Sequence, residues 1–186
     1  MKNKKKILIF GSNSDIALEL KKIINKEKNL IININRSKID FLKPVAENKI
    51  RQALKINNPD IIVIFSGVIG TNLDKFESVF RVNFMPSWEL IKFYKKYPPR
   101  KKVTVIIVGS SAHKSGRKSY MLYSASKAAL QNIFEGGTEY LNNTKVKIKI
   151  IHPKRVNTKM IKNLIGQDNS NGLPPMFIAM KIYKLF

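Results

Sequence analysis

Two stretches of this sequence, Asp60–Phe65 (DIIVIF) and Val103–Val108 (VTVIIV), are almost unbroken aliphatic runs. A strand with one wet face alternates polar and apolar residues. A run without that alternation marks a strand covered on both sides, as in a parallel sheet with helices on each face. Lys6–Phe10 is a similar run that ends at Gly11, after which Ile16, Leu20, Ile23 and Ile24 recur at helical spacing. Leu30–Asn35 reads as a further strand, and Val146–Ile151 as another whose alternating lysines leave one face less covered. Helical faces fall between them: Ala46, Ile50, Ala53 and Leu54 behind Pro44, then Phe76, Val79, Phe80 and Asn83, then Tyr123 to about Leu141. Pro174-Pro175 precede a last apolar helix, and no further strand is legible after it. Strands alternating with helices predict a doubly wound α/β sheet, and 186 residues suit one domain spanning 1–186.

Composition narrows the chemistry. The chain has no cysteine, which removes disulfides, thiolate nucleophiles and cysteine-based zinc sites. Two histidines without a carboxylate cluster predict no metal site. After MKNKKK only four apolar residues precede Gly11, too few for a signal-peptide core, and no segment is long and apolar enough to span a bilayer, so a cytoplasmic protein is expected. Lys and Arg number 35 against 12 Asp and Glu, giving +23. The lysines are scattered along the chain with no recognition helix or stacking aromatics beside them, which favours a solvated basic surface over a nucleic-acid site.

The chemistry-bearing residues sit where strands end and helices begin. Gly11, Ser12, Asn13, Ser14, Asp15 and Ile16 follow the first strand, where backbone N–H groups and a helix dipole can receive a pyrophosphate. Asp15 and Ala17 stand where such loops more often carry glycine. Gly109-Ser110-Ser111 closes a buried strand, and Tyr123-Ser124-Ala125-Ser126-Lys127 follows twelve residues after Ser111. Tyr123 and Lys127, four apart, share a helical face, so the ammonium is expected to favour the ionised phenol and lower its pKa. Asn83, an amide on an otherwise apolar face, demands its own partners. Pro86 cannot donate to the carbonyl of Val82, which predicts a kink or a freed acceptor there. A hydrolase reading of Gly109-Ser110-Ser111 lacks the Gly-x-Ser-x-Gly elbow and an acid partner for His113 or His152.

Taken together, these residues resemble the short-chain dehydrogenase/reductase family over about residues 6 to 180, and that resemblance implies a Rossmann-like fold and nicotinamide chemistry. It assigns Asn83, Ser111, Tyr123 and Lys127 to catalysis, with Ser110 a rival for Ser111 because the family's interval to Tyr is commonly one residue longer. Ser111 would bond the substrate oxygen, Tyr123 act as general acid or base, Lys127 hold the nicotinamide ribose, and Asn83 help hold a water in a proton relay. Gly11, Ser12, Asn13, Ser14, Asp15, Ile16, Arg36, Ser37, Asp40, Phe41, Ser66, Gly67, Tyr123, Lys127 and Pro153 are the implied cofactor contacts. Arg36-Ser37 after the second strand favours the 2′-phosphate of NADP, hence NADPH over NADH. Asp40-Phe41 resembles the family's adenine-contacting pair. The basic loop His113–Lys118, with Arg117, and Lys154-Arg155 are similar to those of surface-polysaccharide reductases that act on sugar phosphates, which implies an anionic small-molecule substrate. Ordinary surface lysines explain the same residues. A homodimer through the helices of Asn83 and Tyr123 is implied as well. The thin glycine loop and the missing last strand leave a non-catalytic nucleotide-binding or scaffold descendant as the alternative.

Overall fold

In the computed structural model, which describes residues 4–70, 75–116, 118–165 and 171–186, the aliphatic runs form the middle of the molecule. Five strands, β1 (Lys5–Phe10), β2 (Asn29–Ile34), β3 (Ile61–Ile64), β4 (Val103–Val108) and β5 (Val146–Ile151), pair in parallel in the order β2-β1-β3-β4-β5. Among the described residues seven α-helices accompany them: α1 (Asp15–Ile23), α2 (Ala46–Asn57), α3 (Phe76–Asn83), α4 (Met85–Lys96), α5 (Met121–Tyr140), α6 (Lys159–Ile165) and α7 (Pro175–Tyr183).

Alternation of side chains divides each strand between two apolar layers. Leu8, Phe10, Ile62, Ile64, Val105 and Ile107 meet Ala46, Ile50 and Leu54 of α2, Leu90, Ile91 and Tyr94 of α4, and Leu130 of α5. Ile7, Ile9, Ile61, Val63, Ile106 and Val108 meet Ile16, Ala17 and Leu20 of α1 and Ile178, Ala179 and Ile182 of α7. With both faces covered, no strand position here has to be polar. Each Ile or Leu so buried contributes roughly 1.5–3 kcal/mol of transfer free energy.

Three local outcomes bear on the site. Ser14 caps α1, its Oγ accepting from the Ala17 N–H at 3.2 Å. The helical face ending at Asn83 stops there: Phe84 separates α3 from α4, and Pro86, which lacks the N–H to continue, sits in the first turn of α4. The long helix begins at Met121, two residues ahead of Tyr123. The sheet ends on β5, and among the described residues no strand follows it. The wetter face expected of β5 is seen in Lys147, which is exposed, and in Lys149, whose Nζ donates to the Leu185 carbonyl at 2.8 Å. Among the described residues no helix is long and apolar enough to cross a membrane, and no group of three metal-ligating side chains is gathered.

Candidate active site

All five strands run the same way, so Gly11, Asn35, Phe65, Gly109 and His152 leave the sheet along one edge. β1 leads left to β2 and β3 returns on the right, and a crevice opens where the winding reverses. It is a cleft of about 590 Å³. Gly11, Asn13, Asp15, Arg36, Asp40, Phe41, Ser66 and Gly67 line one side, and Ser110, Ser111, Tyr123, Lys127 and Pro153 the other. Met160 and Ile161 of α6 also line it.

The β4–α5 wall is tightly bonded. The Tyr123 hydroxyl faces the side chain of Ser110, which opposes the rise of its pKa, whereas Ser111 is exposed and ties its backbone N–H to the Pro153 carbonyl at 2.9 Å. The rival serine therefore takes the place expected of Ser111: beyond the last residue of a strand, successive side chains point opposite ways, and only Ser110 points along the cleft to Tyr123. The ammonium of Lys127 donates to the Val108 carbonyl at 3.2 Å and stands 5.6 Å from the Tyr123 ring centroid. Burial lowers the Lys127 pKa to about 8. Burial also raises that of Tyr123, opposed by Ser110 and reinforced by Tyr120. The expectation that Lys127 would pull the phenol down is corrected: desolvation outweighs the ammonium, which already has a carbonyl partner.

Asn83 does not line the cleft. Its Oδ1 accepts from the Val68 N–H at 2.7 Å, and its Nδ2 donates to the Val68 carbonyl at 3.1 Å and to Ser126 Oγ at 2.8 Å. With both donors used, the amide pins the segment after β3 to α5. This also explains a polar residue on an apolar face. Gly67 fits into the same corner, where an added Cβ would lie 3.7 Å from Lys127 Nζ and 3.8 Å from Asn83 Oδ1.

The opposite wall is looser. Gly11 adopts φ +70°, and a Cβ there would lie 2.8 Å from the Ser66 backbone nitrogen, so only glycine fits this turn. Asp15 accepts from the Lys159 N–H at 2.6 Å, which fastens the start of α6 to the first turn of α1. Arg36 pairs with Asp40 at 3.3 Å, yet its side chain is 78% exposed. Ser12 is buried outside the cleft lining, and Ser37 is exposed with its hydroxyl donating to Asn35 Oδ1 at 2.7 Å, so neither faces the cavity. Arg117 lies outside the described residues. Sequence reasoning missed Arg81, whose guanidinium donates to the carbonyls of Phe41 and Lys43, both at 3.0 Å, and to Glu47, so shaping the rim beside Asp40. Its neighbour Asn83 drew attention; an arginine alone carries no such signal.

A nicotinamide dinucleotide fits these residues on two counts. The buried Ser66 Oγ faces the cleft without a partner, and the Gly11 turn clears the backbone around it at the N-terminus of α1. No curated protein matches the chain. Among solved structures it is similar to a short chain dehydrogenase family protein from Francisella tularensis, with 16% identity, TM-score 0.84, and coverage of 98% of this chain and 91% of that one. It is also similar to a short chain dehydrogenase from Burkholderia cenocepacia in complex with NADP, with 15% identity, TM-score 0.79, and coverage of 96% and 82%. A third is the 3-alpha-hydroxysteroid dehydrogenase from Pseudomonas complexed with NADH, with 19% identity, TM-score 0.80, and coverage of 97% and 89%. At these identities they share the fold. The family model described as short chain dehydrogenase matches residues 1–169, a span that takes in all five strands and both walls of the cleft, and the chain belongs to that family of nicotinamide-dependent oxidoreductases.

Proposed function

We propose that the chain is an NADPH-dependent carbonyl reductase for an anionic sugar, a sugar phosphate of surface-polysaccharide synthesis being the type, with its chemistry on Ser110, Tyr123 and Lys127. One observation carries the reading: Ser110 and Tyr123 face each other in the cleft, with Lys127 behind them. The nicotinamide, held along Gly11, Asn13–Ile16 and Gly67, supplies the hydride when bound. Tyr123, kept protonated at neutral pH by its raised pKa, gives its proton to the substrate oxygen as negative charge develops there. Ser110 donates to that same oxygen, and the Lys127 ammonium stabilises the phenolate left behind. Asn83 keeps α5 in register with the segment after β3.

Two features support the finer choices. Arg36 holds only one exposed ion pair and is therefore available to a 2′-phosphate, which selects NADPH. Lys154 and Arg155 line the cleft, Lys114 stands in the adjoining recess, and among the described residues none of the three is in an ion pair. Those unpaired cations suit an anionic group. A homodimer through α3 and α5 belongs to the same reading, supported by Phe76 and Tyr140, which stand exposed on them; a sedimentation profile of a monomer alone would remove it. One observation favours a second reading, a nucleotide-binding protein without turnover: the Asp15 carboxylate occupies the loop that would receive the diphosphate.

The deciding experiment is cofactor titration followed by turnover of a panel of free and phosphorylated sugars. NADPH is expected to bind roughly tenfold more tightly than NADH, by the measure of one charge-assisted contact. Tyr123→Phe is expected to lower turnover by about 10³-fold with cofactor affinity unchanged. Turnover unchanged in Tyr123→Phe overturns the assignment. Inorganic phosphate should inhibit competitively, and indifference to it would remove the anionic substrate.

A further inference from the structure

His152 follows β5 and stays out of the cleft lining, yet it holds the residue most exposed to the proposed chemistry. Its surroundings settle which ring nitrogen carries the proton. The Gln131 amide nitrogen donates to the carboxylate of Glu135, one turn further along α5, which turns the Gln131 carbonyl oxygen toward His152 Nε2 at 2.6 Å. A carbonyl oxygen only accepts, so Nε2 bears the hydrogen. In the neutral ring Nδ1 is then an acceptor, and the Ser110 N–H donates to it at 3.2 Å. His113 completes the grip, its Nδ1 donating to the Ser110 carbonyl at 2.7 Å while its ring lies over His152 with centroids 3.8 Å apart. The ring rests against Gly109, where a Cβ would lie 2.5 Å from His152 Nδ1, so any larger residue would displace it.

We infer that His152, fixed as its Nε2–H tautomer by Gln131, is the positioning residue that orients the Ser110 peptide and, through it, the Ser110 hydroxyl that faces Tyr123. This rests on reading Ser110 and Tyr123 as the proton-transfer pair. A proton added at Nδ1 turns an acceptor into a donor facing the Ser110 N–H. The nearest acceptor for the new N–H is the Ser110 carbonyl at 3.1 Å, which already receives His113. Protonation therefore replaces one grip on Ser110 with another, and the hydroxyl loses its setting.

The groups around the ring oppose that proton. Lys127 reaches it from α5, His113 and Lys114 from the turn after Ser111, and Lys154 from the segment after β5; Glu135 touches Gln131, not the ring. Burial lowers the His152 pKa first, the Ser110 backbone contact raises it, and the charges of His113, Lys127 and Lys114 lower it further. The grip on Ser110 thus holds through neutral pH and is released only on the acid side.

Three variants and one spectrum test this. His152→Phe keeps a ring without the acceptor, and kcat should fall about 10- to 100-fold with cofactor affinity unchanged, as misplacement of a reacting group does. His152→Asn offers an amide oxygen that cannot titrate, so kcat should stay within several-fold of wild type while the acid limb of the pH profile disappears. Gln131→Glu places a carboxylate on Nε2 and should move that limb upward by about one pH unit. Nitrogen-15 spectra of the wild-type protein, which need no turnover, should show the Nε2–H tautomer of His152 and a Ser110 amide signal that shifts as His152 titrates. The Nδ1–H tautomer, a Ser110 amide indifferent to that titration, or an acid limb unmoved in both His152→Asn and Gln131→Glu overturns the inference. A wild-type protein without turnover on any carbonyl substrate would instead defeat the reductase reading, while the spectrum still decides the role of His152. Should His152→Phe fail to fold, the spectrum and the two milder variants decide it.

Discussion

The two walls of the cleft differ in how far their polar groups are already satisfied. On the β4–α5 wall and directly behind it, Asn83, Ser126, Lys127, Ser110 and His152 each have a partner within the chain, and the first three are almost wholly buried. On the α1 wall, Ser66 keeps a buried hydroxyl without a partner, and Arg36 extends into solvent with a single ion pair. A buried polar atom left unpaired costs about 1–3 kcal/mol, so the second wall is stable only as far as the fold can carry that cost, and a ligand relieves it. The first wall is set before anything binds, as positioned proton transfer requires. The difference teaches that one side is a fixed tool and the other a receptor.

The largest test strikes the fixed wall at its buried charge. Lys127 loses its proton more easily in the folded protein, its pKa falling from the ordinary 10.5 to about 8. Between those values the unfolded chain binds the extra proton, so stability rises with pH across that window. Below about pH 8 the penalty is fully present, on the order of 3 kcal/mol. Lys127→Met keeps the stem and removes the charge. It should raise the melting temperature at pH 7 by several degrees, flatten the rise expected of wild type between pH 8 and 10, and abolish turnover. A melting temperature that falls at pH 7 would mean that the Val108 carbonyl contact outweighs desolvation, and that the wall is not strained by its own lysine.

How much of this was legible in the sequence follows from the same contrast. The sheet was readable because burial on both faces leaves no polar alternation, so DIIVIF and VTVIIV announce themselves by composition alone. Tyr123 and Lys127 were readable because four residues make one helical turn. Ser110 was not separable from Ser111, since the choice depends on which way the chain points after it leaves β4. The direction of the Tyr123 pKa was misjudged because spacing reports the nearness of an ammonium and says nothing of how dry the phenol is. Asn83 was singled out for the right reason, a polar residue on an apolar face, but its partners Val68 and Ser126 lie on other elements, 15 and 43 residues away. The bond from Gln131 to His152 joins residues 21 apart, and no local pattern encodes it.

A smaller effect sharpens the receptor side. Gly11→Ala places a methyl 2.8 Å from the Ser66 nitrogen and forces a side chain into φ +70°. The cost should be about 2 kcal/mol in denaturant unfolding, the scale of a residue held in a sparsely populated backbone region. Cofactor affinity should fall with it, since the turn opens the loop at the α1 N-terminus. If affinity is lost with stability intact, the loop adapts freely until a ligand orders it. If stability is lost with affinity intact, the turn serves the fold alone and the receptor lies elsewhere along the wall.

The smallest effect concerns the helix that carries the fixed wall. Gly136 and Gly137 stand side by side in α5, but a Cβ on Gly136 would meet nothing within 4 Å, while one on Gly137 would meet the end of Ile91 on α4 at 2.5 Å. Alanine at an open helical position adds stability by removing freedom from the unfolded chain, so Gly136→Ala should gain about 0.5–1 kcal/mol. Gly137→Ala has the same backbone gain, offset by moving Ile91, which is only 2% exposed and packed against Leu130 and Ile148 in the core layer. Overpacking of this kind costs about 1–3 kcal/mol, so Gly137→Ala should come out neutral to destabilising when the pair is compared by chemical denaturation. Equal gains at both positions would show that Ile91 gives way easily and that α5 is not clamped against α4. The preset geometry at Tyr123 would then have to be held from the Ser126–Asn83 end of the helix alone.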